Sequence, residues 1–473
     1  MTIISSSTIY DRESPELERL RASVSGQVLI PADEGYDRAR LAWNLNVNQH
    51  PAVIVIPRSE DDIAEAVRFA DAQNLEVAVM ATGHGTIREA NGSLLIDTSQ
   101  LVEVRVDAAA QTAWVGAGAK WGRVLEKAQA VGLAPLLGST PDVGAVGYTL
   151  GGGMGWLARK YGLSADSVNF FELVTADGRQ VRTSAQENAD LFWGLRGGGG
   201  NFGVVTGMEI RLYPVSMIYG GNLFYPVELA REVYARYRSW IADAPDELTS
   251  SVLLMNFPPV PAVPEFLRSQ SFVIVRGCYS GPIEKGEELL EYWRAWQTPL
   301  MDDFRARPFS QVAAISNDPV DPMPSFSSGA WLKDLSDETV ETLIRFVLPQ
   351  GQPPMLVFAE VRHAGGAISR VDAQSAAYGN RDALYSLQIV AGTPTPEIHA
   401  LVKDYVTQMK TALAHHLHGG VYLNFVEGAE AREAARKGFS AEAYEQLQLL
   451  KQKYDPENRF SHSYAISPRD ENV

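Results

Sequence analysis

Between residues 138 and 155 the chain reads Gly-Ser-Thr-Pro-Asp-Val-Gly-Ala-Val-Gly-Tyr-Thr-Leu-Gly-Gly-Gly-Met-Gly, with seven glycines in one short tract. Every glycine adds to the backbone entropy lost on folding, so such density persists only where main chain approaches another group closely or adopts positive φ. A diphosphate and a flat aromatic ring both call for that approach. A structural turn normally needs only two or three glycines, so the tract reads as a ligand cradle.

The pattern before the tract is that of α/β units. Residues 53–56 form a β-branched run, and Ile63, Ala66, Val67 and Ala70 then recur at helical spacing behind Ser59 and Asp62, which cap the helix start. A second strand over 75–80 runs directly into Thr82-Gly83-His84-Gly85, where an α/β unit presents its ligand contacts. A strand near 113–115 precedes Gly116, Gly118 and Gly122 and a helix carrying Trp121, Val124, Leu125 and Ala128. The spacing there is GxGxxxG and no acidic residue follows at the expected distance, so these glycines are assigned to tight packing rather than to a dinucleotide fingerprint. Residues 171–175 and 180–182 form a hairpin about Ala176-Asp177-Gly178. Beyond Pro214, proline-rich loops at 258–264 and 319–324 separate strands such as 272–275 from helices such as 283–296, marking a second domain. A strand at 422–426 and a helix at 441–453 precede Tyr454-Asp455-Pro456-Glu457-Asn458.

Composition narrows the partners. A chain of 473 residues supports two or three packed units. A net charge of −16 with no basic stripe disfavours nucleic acid and anionic lipid. The single cysteine, Cys278, excludes an internal disulfide and a multi-thiolate iron–sulfur cluster, so redox chemistry would need an organic cofactor. His415, His416 and His418 lack a carboxylate or cysteine at ligand spacing and read as a solvated helix end, with no metal. The first twenty residues lack a secretory pattern and no apolar run reaches membrane length, so the expectation is a cytoplasmic protein. Oligomeric state stays open.

Several motifs together resemble the berberine bridge enzyme-like branch of the vanillyl-alcohol oxidase flavoproteins, whose FAD domain is of the p-cresol methylhydroxylase type. They are Thr82-Gly83-His84-Gly85, Gly144 through Gly155, Asp190-Leu191-Phe192-Trp193-Gly194-Leu195-Arg196 with Gly197 through Gly203, and Tyr454 through Phe460, in the family order. The resemblance implies an α+β fold. A two-subdomain FAD domain (47–215) would be packed by an N-terminal segment (1–46). A substrate domain (216–420), an antiparallel sheet backed by helices, would follow, and a C-terminal segment (421–473) would return to the FAD domain.

It also implies roles. His84 would bond covalently to the 8α carbon of FAD, with Thr82, Gly83, Gly85 and Thr86 offering backbone groups to the diphosphate. Thr140, Pro141, Val143, Gly144, Gly147, Tyr148, Gly151 and Gly152 would line the cofactor, Gly203 and Val205 would hold its adenine side, and Asn458 would lie near the flavin. Two departures matter: Thr140 replaces a second linking cysteine, implying one covalent bond only, and Met154 replaces a frequent aromatic. Val143 stands where valine accompanies oxidases.

The implied reaction is hydride removal from a C–H beside an alcohol or amine of a small organic substrate, with dioxygen reduced to hydrogen peroxide. Alternatives are a dehydrogenase with another acceptor, or a flavin or ligand binder without turnover. For the proton, Tyr422 and Asn424 on one strand face are the first candidates, with Arg362 lowering the tyrosine pKa. Glu360 is a secondary candidate, and Tyr378 and Tyr385 are candidate pocket walls.

Overall fold

The computed structural model describes residues 10, 12–349 and 351–469; most of the first eleven residues of the expected 1–46 segment lie outside them. Three sheets organise the chain into an α+β architecture, as expected from the sequence.

The first sheet has the order β1-β2-β4-β3, formed by β1 (Gln27–Leu29), β2 (Val53–Ile56), β3 (Val77–Met80) and β4 (Leu94–Asp97). Helix α1 (Glu60–Ala72) connects β2 to β3, and β2, β4 and β3 run parallel. The helix begins where Ser59 Oγ accepts from the Asp62 N–H, with Glu60, Asp61 and Asp62 at the positive end of the dipole. Ile63, Ala66, Val67 and Ala70 seal it against the sheet.

The second sheet is antiparallel, in the order β5-β6-β9-β7-β8. Its chain runs through β5 (Val104–Asp107), β6 (Thr112–Gly116), α2 (Trp121–Gln129), α3 (Ala145–Leu150), β7 (Val168–Val174), β8 (Gln180–Ser184), α4 (Ala189–Leu195) and β9 (Val204–Arg211). Gly116 and Gly118 are packing glycines, because a Cβ on either would strike the carbonyls of Leu101 and Thr98.

The third sheet is large and antiparallel. Its elements are β10 (Met217–Pro226), α5 (Ala230–Ile241), β11 (Leu248–Asn256), β12 (Ser271–Tyr279), α6 (Ile283–Arg294), β13 (Met301–Asp302), β14 (Arg305–Pro308), β15 (Ser325–Leu332), α7 (Asp337–Val347), β16 (Phe358–His363), β17 (Tyr385–Gly392) and α8 (Pro396–Ala412). The order is β13-β10-β12-β11-β16-β17-β15, with β14 beside β10. Alternation puts Val252, Leu254, Val273, Val275, Ala359 and Val361 in the core beneath α5, α6 and α7. The other face of this sheet turns away from those helices.

The chain then returns. Residues 422–426, expected as a strand, form a 3₁₀ turn over Leu423–Phe425 beside the edge of β15, closed by the Phe425 N–H donating to Tyr422 O. Helix α9 (Ala441–Tyr454) ends in a fully buried ion pair, Lys451 Nζ to Asp455 Oδ2 at 2.6 Å, with Lys451 also donating to Asn201 O. Leu447, Leu450, Tyr464 and Ile466 join the core of the second sheet, whereas Phe460 joins that of the first.

Candidate active site

The His84 loop leaves the end of β3 and turns at Gly83, whose φ of +74° and contact with Ala42 leave no space for a side chain. The Trp43 N–H donates to Thr82 O, and the Trp43 ring stacks on His84 at 4.5 Å and 17°. His84 Nδ1 lies 2.9 Å from Thr82 Oγ1, while Nε2 is buried without a partner. Desolvation lowers the imidazole pKa to about 4, so the ring is neutral at pH 7 and keeps a nucleophilic lone pair. Thr86 Oγ1 donates to Gly83 O at 3.4 Å, and at Gly85 a Cβ would meet nothing within 4 Å.

The start of the glycine tract meets this loop. A Cβ on Gly144 would contact Ala81 and Thr82, which brings His84, Val143 and Gly144 into one neighbourhood. Carbonyls of Pro141 and Val143 accept from Gly122 and Trp121, so the first turn of α2 is already satisfied by the chain. Thr140 Oγ1 accepts from the Asp142 N–H. Gly147 faces open space, whereas Tyr148 is enclosed with its hydroxyl unpartnered.

The later glycines are explained differently from the sequence expectation. Gly151 is crowded by Asn424 and Tyr464, Gly152 by the Tyr378 ring, Gly153 by Tyr148 and Ser164, and Gly155 by Leu137 O. Much of the tract's glycine therefore serves close packing of the chain on itself, whereas at Gly144 a Cβ would make only ordinary contact with the His84 loop and at Gly147 it would meet nothing within 4 Å. The unmatched Nε2 of a neutral His84, beside glycines whose missing side chains leave space, fits a flavin joined through one imidazole nitrogen.

Tyr422 and Asn424 meet at the tract although they are not on a strand. Tyr422 Oη accepts from the Met154 N–H at 2.8 Å and from Asn424 Nδ2 at 3.1 Å. The same amide lies 3.0 Å from Tyr148 O, and Tyr464 Oη donates to Asn424 Oδ1. Burial raises the Tyr422 pKa, and it outweighs the lowering by the Met154 and Asn424 hydrogen bonds and by Arg362. Arg362 therefore does not suffice to ionise the phenol before substrate arrives, contrary to the sequence expectation.

Glu360 also departs from expectation. It is fully buried, accepting from Ser251 Oγ at 2.6 Å and Arg362 Nε at 2.8 Å, with Arg276 at 3.5 Å. The arginines hold its carboxyl below the usual range despite burial, so it is a weak proton acceptor and an anchor for the two guanidiniums. Arg362 also donates to Gln388 and lies over the Phe425 ring.

Other expected positions separate. Tyr378 is at the site, edge-on to Tyr422 at 6.2 Å, whereas Tyr385 stacks on His363. Asn458 belongs to a turn whose Arg459 carbonyl accepts from Val77 N–H, at the opposite end of β3 from His84. Its φ of +52° identifies a turn residue, and it is Tyr464 that reaches the Tyr422 group instead. Gly203 and Val205 lie beside β7, and neighbouring Thr206 donates to Glu60, so they mark the seam between the first two sheets. His416 faces Asp334 and Glu338, and His418 faces Asp382. Trp43, Tyr464 and Arg276 went unnoticed in the sequence, having no motif spacing to signal them.

A cavity of about 1040 Å³ opens beside the free edge of β15, between α8 and residues 419–437. It includes Thr86 and Val421, neighbours of the site, but neither His84 nor the tract, so it adjoins the site rather than containing it.

Residues 51–184 match the FAD binding domain family and residues 421–467 match the family described as berberine and berberine like. The chain is 28% identical to (R)-6-hydroxynicotine oxidase of Paenarthrobacter nicotinovorans, over 94% of this chain and 97% of that protein. It is 26% identical to a carbohydrate oxidase of Microdochium nivale, over 93% and 92%. Its fold matches berberine bridge enzyme from Eschscholzia californica with a TM-score of 0.81 at 19% identity, covering 96% of this chain and 99% of that one. Among the described residues no helix is long and apolar enough to cross a membrane.

Proposed function

The chain belongs to the berberine bridge enzyme-like FAD-linked oxidoreductases, and from that premise we propose that it is an oxidase of a small organic substrate carrying a C–H bond beside an alcohol or amine. The observation that carries the reading is the half-buried, neutral His84, whose buried Nε2 has no partner at the mouth of the glycine tract.

His84 would hold FAD through that imidazole, as the single covalent link, since Thr140 offers no thiolate. The backbone of 82–86 and of 143–147, together with Tyr148, would border the ring; Gly151 and Gly152 instead seat Asn424 and Tyr378, and Gly203 and Val205 fit the adenine end. When bound, FAD supplies the hydride acceptor and passes the electrons to dioxygen, for which Val143 leaves access beside Gly144.

Proton handling falls to Tyr422. Its oxygen accepts hydrogen bonds from the Met154 N–H and the Asn424 amide, so a phenolate formed there would find its charge met by donors already in place. A substrate hydroxyl or amine would pass its proton to that phenolate as the C–H bond breaks, once the phenol has released its own proton to solvent. Support for oxidase chemistry comes from the relatives, two of which are oxidases of a nicotine derivative and of carbohydrate.

The test is acid precipitation of protein purified from a flavin-replete host. Yellow colour should stay with the wild-type pellet and wash out of His84→Ala. Oxygen uptake with a turned-over substrate then separates an oxidase from a dehydrogenase, and bleaching without uptake would refute the oxidase reading.

A further inference from the structure

The face of the third sheet turned away from α5, α6 and α7 is largely buried and carries two kinds of residue in register. One row across β10, β12, β11 and β16 is Asn222, Arg276, Ser251 and Arg362, paired neighbour to neighbour, and its Arg362 lines a small cavity with Met154 and Gly155. The next row is Phe224, Ile274, Leu253 and Glu360, and beyond it lie Phe272, Met255 and Phe358. Along β16, from Arg362 to Phe358, the face changes from charged to aromatic over about 13 Å.

The charged end does not balance. Arg276 is 5% exposed, its only carboxylate within ion-pair distance among the described residues is Glu360 at 3.5 Å, and its Nε has no partner. Glu360 spends its own short bonds on Ser251 and Arg362. Asp318, on the loop before β15, attracts Arg362 from longer range without an ion pair. Two guanidiniums thus share one buried carboxylate, and a buried surplus cation is costly unless an anion joins it.

The aromatic end is half-buried. Phe224, Phe257 and Phe272 pack on one another with centroids 5.7–6.5 Å apart, against Leu253, Met255 and Ile274. A sugar would leave its hydroxyls unmatched on such a wall, and an ammonium would be repelled by the surplus guanidinium.

We infer that this face selects an aromatic carboxylate, with its anionic oxygens on Arg276 and Arg362 and its apolar body along Phe224 and Phe358. The inference deepens the proposed oxidase reading and rests on it for the site's purpose. Arginine suits the role because its planar fork meets both oxygens of a carboxylate. Arg276 acts in binding, and Glu360 positions both arginines.

The experiment is calorimetric titration of the flavin-containing protein with 2-naphthoate, 2-naphthamide, phenethylamine and cellobiose, following the flavin absorbance band in parallel. Naphthoate should bind at least about tenfold more tightly than its neutral amide, the discrimination expected of a charge-assisted contact. Arg276→Gln should bring the acid-to-amide ratio close to one, and Arg276→Lys should restore part of it. Equal affinity for acid and amide, or preference for cellobiose or the amine, overturns the inference; the wild-type acid-to-amide ratio decides even if Arg276→Gln fails to fold. Colourless protein would defeat the flavin reading separately, and the same titration on it would still decide the anion site.

Discussion

The glycine tract and the Arg362 face of the third sheet meet at one small cavity, yet they are built in opposite ways. The tract carries a single charge, Asp142 paired with Lys120, and is so tight that Asn424, Tyr464 and Tyr378 occupy the space where side chains would stand. The sheet face holds buried guanidiniums, a buried carboxylate and phenylalanines that remain half-buried. Backbone hydrogen bonds and close packing fix the first to one geometry. The second is a surface on which side chains can be exchanged without moving the strands, and it is where relatives of one fold can diverge in substrate.

That contrast can be broken most directly through the chemistry. Tyr422→Phe removes the oxygen at which the Met154 and Asn424 donors converge, and kcat should fall about 10²- to 10⁴-fold with little change in melting temperature. An unchanged kcat would move proton transfer to the sheet face. Glu360→Gln leaves two arginines facing each other in the interior and should cost roughly 3–5 kcal/mol in denaturant unfolding.

Gly152→Ala tests the tract. With φ at +103° and the Tyr378 ring against it, the added methyl should destabilise by roughly 2–3 kcal/mol and loosen Tyr378 and Tyr422. A stable, fully active variant would mean that the tract tolerates side chains, and the contrast with the sheet would dissolve.

The smallest effect concerns pH. His363 sits at the inner end of β16, 3.1 Å from Arg159, and burial together with that cation lowers its pKa to about 3. The unfolded chain binds this proton near pH 6.5 and the folded chain does not, so stability is full above about 6.5 and declines as pH falls toward 3. Glu427, raised to about 7 by burial, works in the opposite sense between pH 4.5 and 7. Melting temperatures from pH 7 to pH 4 should therefore fall less in His363→Gln than in wild type.

Motif spacing singled out His84, the tract and Tyr422 with Asn424, and the structure brings the last two onto the tract. The spacing misjudged the strand at 422–426, since two residues at period two look extended whether or not the backbone pairs as a strand. It also placed Asn458 near the flavin, where a turn capped by Asp455 instead holds it beside the start of β3.

What the sequence by itself determined is where glycine is dense and where the His84 loop leaves its strand, since these are properties of single residues and their neighbours. Only the tertiary structure decided which residues face each other across the third sheet, because Arg276, Glu360 and Ser251 come from strands whose pairing is set by register over long separations. Tyr464 reaches Asn424 for a similar reason: a buried lysine–aspartate pair folds the C-terminal segment back onto two cores at once.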